Sequence, residues 1–556
     1  MQFIEDNCVK RSQSNRNFLY KLGLLVLTIS FLMVSLLFAD LFAQSNNHIA
    51  CGEQSGTWNY DTVFVNCDII IPENEVLEIL SGTTVLFNDH YKITINGALQ
   101  AKGTAASPVR FTVGDTTGFA DIHSTAGGWG GIRMDEVSVS SDSTLFEFCT
   151  FKYGKAVVDS VYRFGGAICI REFDKIKISD CIFENNLAFY RGGAIYAEKS
   201  DMFVRDCLFI GNFAGNDSLI YGYGGAIKQF YGEPIIQHCE FYENGSTGIG
   251  GAVSFEYADP LMVNCIFQYN YSGLGGAIGY LRSTPTNINV NILIIDNQAL
   301  FFGGGIANVA ASPMFTNTTI AGNYAAMGGG LYCNEASNPK MFNTILWDNT
   351  AGQGEPFGSQ LWLWDTDSEP AFYNCAIQFG IAAFGGSGTM FEGPYVDCIE
   401  DDPLFIDTWD NNYRLNENSP CVNTGMTDTT GLALPWFDLG MDPRISGGRL
   451  DMGSYEFQEA VAVKQYPAQT SDLVVFPQPL VKNSLIQFNA NSASRAVIEL
   501  RNLNGELISS CRLQLHGKAI HAIEINRLIN LELLPPSVYL IGFRTDYESK
   551  YIKVVR

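Results

Sequence analysis

One sentence of this chain is written again and again. GGAIYAEKSDMFVRDCLFIGN at 192–212 returns as GGAIKQFYGEPIIQHCEFYEN at 224–244, keeping Gly-Gly, Cys-x-Phe and Asn while almost everything between them changes. Aligned on C-x-F-x-x-N, one column reads Cys149, Cys181, Cys207, Cys239, Cys265, Ile292, Thr318, Thr344, Cys375, in steps of 32, 26, 32, 26, 27, 26, 26 and 31 residues. Five residues on stand Asn186, Asn212, Asn244, Asn270, Asn297, Asn323 and Asn349, with Gly154 and Gly380 in the first and last copies. Next come the glycine pairs, GGAI at 165, 192, 224 and 275, GGAV at 250, GGGI at 303 and GGGL at 328. A period near 26 lies in the range of solenoid repeats.

Between these marks the residues are β-branched, aromatic and alternating (MFVRDCLFI, PIIQHCEFY, LMVNCIFQY), with no stripe at helical spacing. One such unit cannot bury its apolar face alone, so successive copies must stack strand on strand, rising about 4.8 Å per turn. The expected fold is all-β, a right-handed parallel β-helix. The Cys column then points inward as a row of slim apolar side chains. The Asn column is expected to sit at a turn in left-handed backbone, its amides bonding along the axis. The glycine pair marks a place where a Cβ would not fit.

These residues resemble known groups. GGAI followed by CxFxxN, over roughly 145–380, is similar to the repeat of chlamydial polymorphic outer-membrane proteins and, more broadly, to right-handed parallel β-helix proteins such as pectate lyases. Upstream, VLEILSGTTVLFNDHYKITINGALQAKGTAASPVRFTV with GGWGGIRM looks like opening coils. Downstream, DDPLFID, YRLNENSPCVNTG and DLGMDPRISGGRLDMGSYEF look like closing coils of bacterial β-helix surface proteins. The last 85 residues, with VVFPQPL, an Asn504-Gly505 turn and VYLIGFRTDYESKYIKVVR, read as a small β-sandwich and resemble the C-terminal sorting domain of type IX secretion in Bacteroidota. PQP at Pro477–Pro479 stands where that family has PNP, and Ser537 where it has Gly. The resemblance implies the type IX secretion machinery as a partner and the outer cell surface or the medium as destination.

The N-terminus agrees with export. Lys10, Arg11, Arg16 and Lys21 precede LGLLVLTISFLMVSLLF and the small-residue exit LFAQ, a secretory signal with its cut expected after Ala43; the alternative is an uncleaved anchor. The expected domains are a signal peptide at 1–43, the β-helix at 44–457, a linker at 458–471 and the sorting domain at 472–556, with no transmembrane segment once the signal is removed. A net charge of −24 without Lys/Arg clusters argues against nucleic acid as a partner. The fourteen cysteines contain no CxxC and the six histidines no metal-ligand spacing, so no cofactor or metal is assigned. DTDSE (365–369) and DDPLFIDTWDNN (401–412) offer oxygen ligands for Ca²⁺ but lack the spacing of a calcium loop, and turn chemistry accounts for them. Cys51 with Cys67 and Cys398 with Cys421 are the isolated pairs that invite disulfides.

Two sets of residues suggest a site. Six positions past the first Gly of each pair the column reads Arg171, Glu198, Phe230, Glu256, Leu281, Val309, Asn334. Glu198 and Glu256 fall two turns apart, about 9.6 Å by strand spacing, near the upper limit for an inverting pair of glycosidase carboxylates; the plain alternative is a solvated strand face. Long segments at 155–164 and 213–223 flank the short LAFYR, 187–191. That arrangement suggests a groove floored by Phe189, Tyr190 and Arg191 and rimmed by Tyr162, Arg163, Tyr221 and Tyr223, aromatics suited to the C–H faces of sugars; the alternative is that they pack their own loops. The expected function is binding or adhesion, to a glycan or another surface ligand. A polysaccharide lyase or glycoside hydrolase is the second reading and a structural spacer the third.

Overall fold

A computed structural model describes residues 46–457 apart from 136, 138–141, 158–162, 218–221, 353–355 and 388–390, together with 458, 473–476, 480, 484–490, 495–502, 507–514, 519–525, 538–544 and 549–556. The expected signal peptide and nearly all of the expected linker lie outside the described residues. The chain divides after Phe457 into two compact units.

In the first unit each repeat becomes one rung of four short strands, as in Ile195–Glu198, Phe203–Arg205, Leu208–Ile210 and Phe213–Ala214. Each strand pairs in parallel with its counterpart one repeat on: Ile195 with Ile227, Phe203 with Ile235, Leu208 with Glu240 and Phe213 with Gly245. Four parallel ladders result, called here the first to fourth sheets in chain order within a rung, and the unit is a parallel β-helix. The glycine pair precedes the first strand. Gly192 has φ +63°, and a Cβ on Gly193 would collide with the carbonyl of Gly225 on the next rung.

The interior is built of stacks. Phe151, Phe183, Phe209, Phe241 and Phe267, the aromatic of each C-x-F, lie ring on ring at 4.7–4.8 Å. Burying each contributes roughly 2 kcal/mol. The Cys column is buried throughout, as its inward orientation requires. Burial pushes the Cys265 thiol up to about 12, so it stays protonated and inert at neutral pH.

The Asn column forms the expected amide ladder. Nδ2 of Asn186 donates to Oδ1 of Asn212 (2.8 Å), Asn212 to Asn244 (2.9 Å), and so on to Asn323 and Asn349 (2.9 Å). Its backbone is not left-handed, contrary to expectation. The left-handed residue is the one before it, Asn185, Glu243, Tyr269, Asp296 or Asp348. A second left-handed corner precedes the Cys column, at Asp180, Asp206, His238, Asn264, Asn291, Asn317, Asn343 and Asn374. The turn therefore bends one residue early, which frees the column Asn to aim its amide along the axis.

The segment expected to form closing coils adds no rung. After Tyr395–Val396, the last strand on the second sheet, the chain makes one antiparallel pair, Phe405–Asp407 with Asn412–Leu415, and lies as a strap across the outside of the third sheet. Leu415, Cys421 and Met452 pack on Ile345, Trp347 and Ala376, while Tyr413 packs on Leu293, Ile295 and Ala321. The second corner supplies the fastenings. Asn291 Nδ2 donates to Phe437 O (2.9 Å), Asn317 Nδ2 to Asp451 O (2.9 Å), and Asn343 Oδ1 accepts from Met426 N (2.7 Å). Arg444, buried under the strap, donates to Asn291 Oδ1 (3.1 Å) and pairs with Glu456 (3.5 Å).

Cys51 and Cys67 form a disulfide. Cys398 and Cys421 do not: both are free. Cys398 continues the inward column beyond Cys375, its thiol donating to Phe372 O, whereas Cys421 sits in the strap on the outer side of the same sheet. Asp407 caps a short 3-10 turn through Trp409 N and Asp410 N, and Asp365 accepts from Asp367 N, so both acidic stretches are used in turns. Among the described residues no helix is long and apolar enough to cross a membrane.

The second unit holds two antiparallel sheets. One is Leu473–Phe476, Leu485–Ala490 and Ala519–Glu524; the other is Leu507–Gln514, Arg495–Asn502, Val538–Arg544 and Ser549–Val555. Ile486, Ile498, Leu500, Ile541 and Phe543 are buried in it. The Pro477–Pro479, Asn504-Gly505 and Ser537 positions lie outside the described residues.

Candidate functional site

Along the first sheet the pairing puts Arg171 beside Glu198, Glu198 beside Phe230, Phe230 beside Glu256 and Glu256 beside Leu281. The two carboxylates therefore stand two rungs apart with an aromatic ring between them, as the spacing implies. What surrounds them was not foreseen. A second outward row, two residues nearer the glycine pair, carries Cys169, Tyr196, Lys228 and Ser254 in register. Over it lies a third row, Phe164, Arg191, Tyr223, Ile249 and Leu274, linked rung to rung by single parallel bridges.

Each acid is held by its neighbours. Glu198 Oε2 accepts from the Tyr196 hydroxyl (3.0 Å) and pairs with Arg171 Nε (3.3 Å), while Nη1 of the same guanidinium reaches Asp135 (3.5 Å). Glu256 pairs with Lys228 Nζ (3.0 Å) and Arg282 Nη1 (3.2 Å). The Lys228 side chain is 0% exposed, its amine also donating to Ser254 Oγ (3.3 Å) beneath the Tyr223 ring. Burial pulls its pKa down to about 8, with Glu256 opposing the shift. An amine so poised resembles a catalytic base, but it is sealed from any ligand in the solvent. Counting four residues past the first Gly, rather than six, would have found Tyr196 and Lys228.

The predicted rim and floor residues close on one another. The Arg163 guanidinium lies 4.4 Å over the Phe189 ring and 5.6 Å from that of Tyr190, to whose hydroxyl it donates (3.4 Å). Arg191 sits 5.4 Å from the Tyr223 ring, 5.6 Å from Phe230 and 5.9 Å from Phe164. Phe164 joins the two groups, 6.1 Å from Tyr190 and stacked on Tyr196 at 4.9 Å. Arg163, Phe189, Tyr190, Arg191 and Tyr223 thus belong to one cation–aromatic patch. Neither Arg163 nor Arg191 meets a carboxylate among the described residues, and Arg163 Nε is buried without a partner. Tyr162 and Tyr221 lie outside the described residues. Beyond the patch, Tyr231 and Tyr257 stack at 4.9 Å, and Tyr257 faces a cleft of about 340 Å³ with Glu233, Asp259 and Arg282.

Among the described residues no group of three or more His, Cys, Asp or Glu side chains is placed to hold a metal ion. The family model for a right handed beta helix region matches residues 122–313 and 217–377, which agrees with the parallel ladders and gives the solenoid its hand. No curated protein matches the chain.

Proposed function

We propose that this right-handed β-helix is a surface-exported binding protein whose ligand is a glycan, held on the patch of Arg163, Phe189, Tyr190, Arg191 and Tyr223. The observation that carries the reading is how charge is distributed there. Both candidate catalytic carboxylates, Glu198 and Glu256, are committed to ion pairs, whereas Arg163 and Arg191 have aromatic rings about them and, among the described residues, no carboxylate. Hydrolysis or elimination needs an acid and a base converging on one bond. A patch of rings and guanidiniums supplies contact area and hydrogen-bond donors without either. The C-terminal unit would serve as the type IX sorting domain delivering the chain to the surface.

A depolymerisation screen of the full chain over a broad polysaccharide panel, run beside affinity retention on the same polymers, tests the reading. Retention without new reducing ends or unsaturated uronates, and weakened in Arg191→Ala, is the expected result. Product formation that disappears in Glu198→Gln or Glu256→Gln would make the chain an enzyme instead. For delivery, removing residues 472–556 should leave the protein inside the cell envelope.

A further inference from the structure

The Cys column ends in a pair. Tyr373 stands opposite Val396 on the second sheet, and past the corner Ala376 is bridged to Ile399, so both flanks carry the same offset of 23 residues and Cys375 faces Cys398 directly. The bonds on either side leave no slack: Asn374 N donates to Val396 O (2.9 Å) and Ile399 N to Cys375 O (2.8 Å). Asn374 and Asp397, the residues before the two cysteines, both have φ +51°, which turns the two side chains the same way. Their thiols repeat one contact on successive rungs, Cys375 donating to Met341 O (3.5 Å) and Cys398 to Phe372 O (3.7 Å). Strand spacing puts their Cα atoms about 4.8 Å apart, inside the span of roughly 4.4–6.8 Å that disulfides use. The chain already makes such a bond, since Cys51 and Cys67 join neighbouring strands with their Cα atoms 4.9 Å apart.

The upstream members of the column are placed differently. Cys181, Cys207 and Cys239 each lie between two other cysteines, and all three are buried where no oxidant reaches. Cys375 has Thr344 on one side, so Cys398 is its one thiol neighbour in the column. Cys398 is half-buried and open to a small reagent.

We infer that Cys375 and Cys398 are a disulfide-forming pair, thiols in this structure, that closes by exchange with a disulfide oxidant and staples the last rung of the solenoid. The Cys398 thiolate attacks one sulfur of the oxidant and expels a thiolate. The Cys375 thiolate then attacks the Cys398 sulfur of the mixed disulfide and expels the second. Two protons leave the pair, its two electrons reduce the oxidant to two thiols, and one S–S bond replaces another. The roles follow from the surroundings. A hydrogen bond from the Cys375 thiol holds Cys398 below the ordinary thiol range, while burial pushes Cys375 up.

The bond fastens an end that has little else. Phe384, Phe391 and Tyr395 gather over Phe372 with ring centroids 5.0–6.5 Å apart and plug the core, and Tyr395 stands on a strand of two residues. Terminal rungs have a neighbour on one side and open first. Cys51–Cys67 joins the first rungs, so closing Cys375–Cys398 staples the solenoid at both ends.

The test is peptide mapping of the full chain, purified under reductant, freed of it, incubated folded with oxidised glutathione at pH 8, then alkylated in denaturant and digested without reduction. A peptide joining Cys375 to Cys398, two hydrogens lighter than its two thiol parts, should account for most of both residues, while Cys181, Cys207, Cys239 and Cys265 are recovered alkylated. In Cys375→Thr, which copies Thr344 and so keeps the stack, Cys398 should carry glutathione instead. Hydrogen exchange at 395–399 should slow about tenfold on oxidation of the parent and stay unchanged in the variant. Cys398 joined to Cys421, Cys398 carrying glutathione in the unmutated chain, or both cysteines recovered as thiols beside an oxidised Cys51–Cys67, overturns the pairing. A Cys375–Cys398 bond that leaves exchange unchanged overturns its role as a staple.

Discussion

Replacing Asn270 with alanine should cost about 4 kcal/mol, and the figure follows from its bonds. Oδ1 accepts from the backbone N–H and the Nδ2 of Asn244, both at 3.0 Å. Nδ2 donates to Phe241 O and Asn297 Oδ1, both at 2.9 Å. Four buried hydrogen bonds at about 1 kcal/mol net each give the total, and the Asn244 N–H is left without a partner in a site closed to water. Asn270→Asp makes the sharper test. Its carboxylate can still accept from Asn244, but it faces the acceptors Phe241 O and Asn297 Oδ1 where a donor stood. Only the protonated acid restores one of those bonds, so burial and lost donors must raise the folded-state pKa above the unfolded value of about 3.9. A raised carboxyl pKa means that the folded state binds the extra proton, so N270D is most stable below about pH 4 and loses stability as pH climbs through the folded pKa. Guanidinium unfolding of the full chain at pH 4 and pH 8, followed by far-UV circular dichroism, reads both effects. Asn270→Ala within about 1 kcal/mol of the parent chain, or Asn270→Asp with no more pH dependence than the parent, would refute the claim that the ladder bears load.

Further outcomes follow from groups buried elsewhere. Burial pushes Glu456 from 4.5 up to about 8, so the strap should hold most firmly below pH 4.5 and lose up to about 5 kcal/mol by pH 8 at about 1.4 kcal/mol per pKa unit; Glu456→Gln should flatten that dependence in unfolding titrations. Glu256→Gln should destabilise by about 3–5 kcal/mol because it strands Lys228, whereas Lys228→Met, which leaves Glu256 with Arg282, should cost clearly less in the same assay. Mass spectrometry after iodoacetamide treatment of the native, reduced protein at pH 8 should find Cys398, the half-buried member of the column, modified before the fully buried Cys265. Cys207→Asp should unfold the solenoid or lower its melting temperature sharply, since the side chain enters a dry stack; an unchanged melting curve would contradict the inward orientation.

The features readable beforehand were those that recur. Because every rung repeats the same environment, Cys207, Phe209 and Asn212 state their roles by returning at the same places, and the offset of Glu198 from Glu256 survives as two rungs. A periodic reading sees only periodic contacts. Lys228 gives no periodic signal because it occurs once in a row otherwise filled by Cys169, Tyr196 and Ser254, and its partner is set by burial rather than spacing. The strap reads as further coils in the sequence because its contacts run backward along the chain and pair unlike segments. A trace of it was present all the same: the corner before the Cys column changes from Asp180, Asp206 and His238 to Asn264, Asn291, Asn317, Asn343 and Asn374. The change begins on the rung where Asn264 Nδ2 meets the strap at Asp438 O. The amide can both donate to and accept from the covering backbone, which a carboxylate cannot.

That strap also acts as a ruler. A whole repeat inserted or deleted above Asn264 would leave every stack and ladder in register, and the solenoid could lengthen or shorten there by duplication at small cost. Below Asn264 the count is set. Phe437, Asp451, Met426 and Thr424 each meet a particular rung, at Asn291, Asn317, Asn343 and Asn374, and an added turn would carry these partners out of step by one strand spacing. The rungs from Asn291 to Asn374 are thus a stretch of fixed count, while those upstream of Asn264 are free to vary in number.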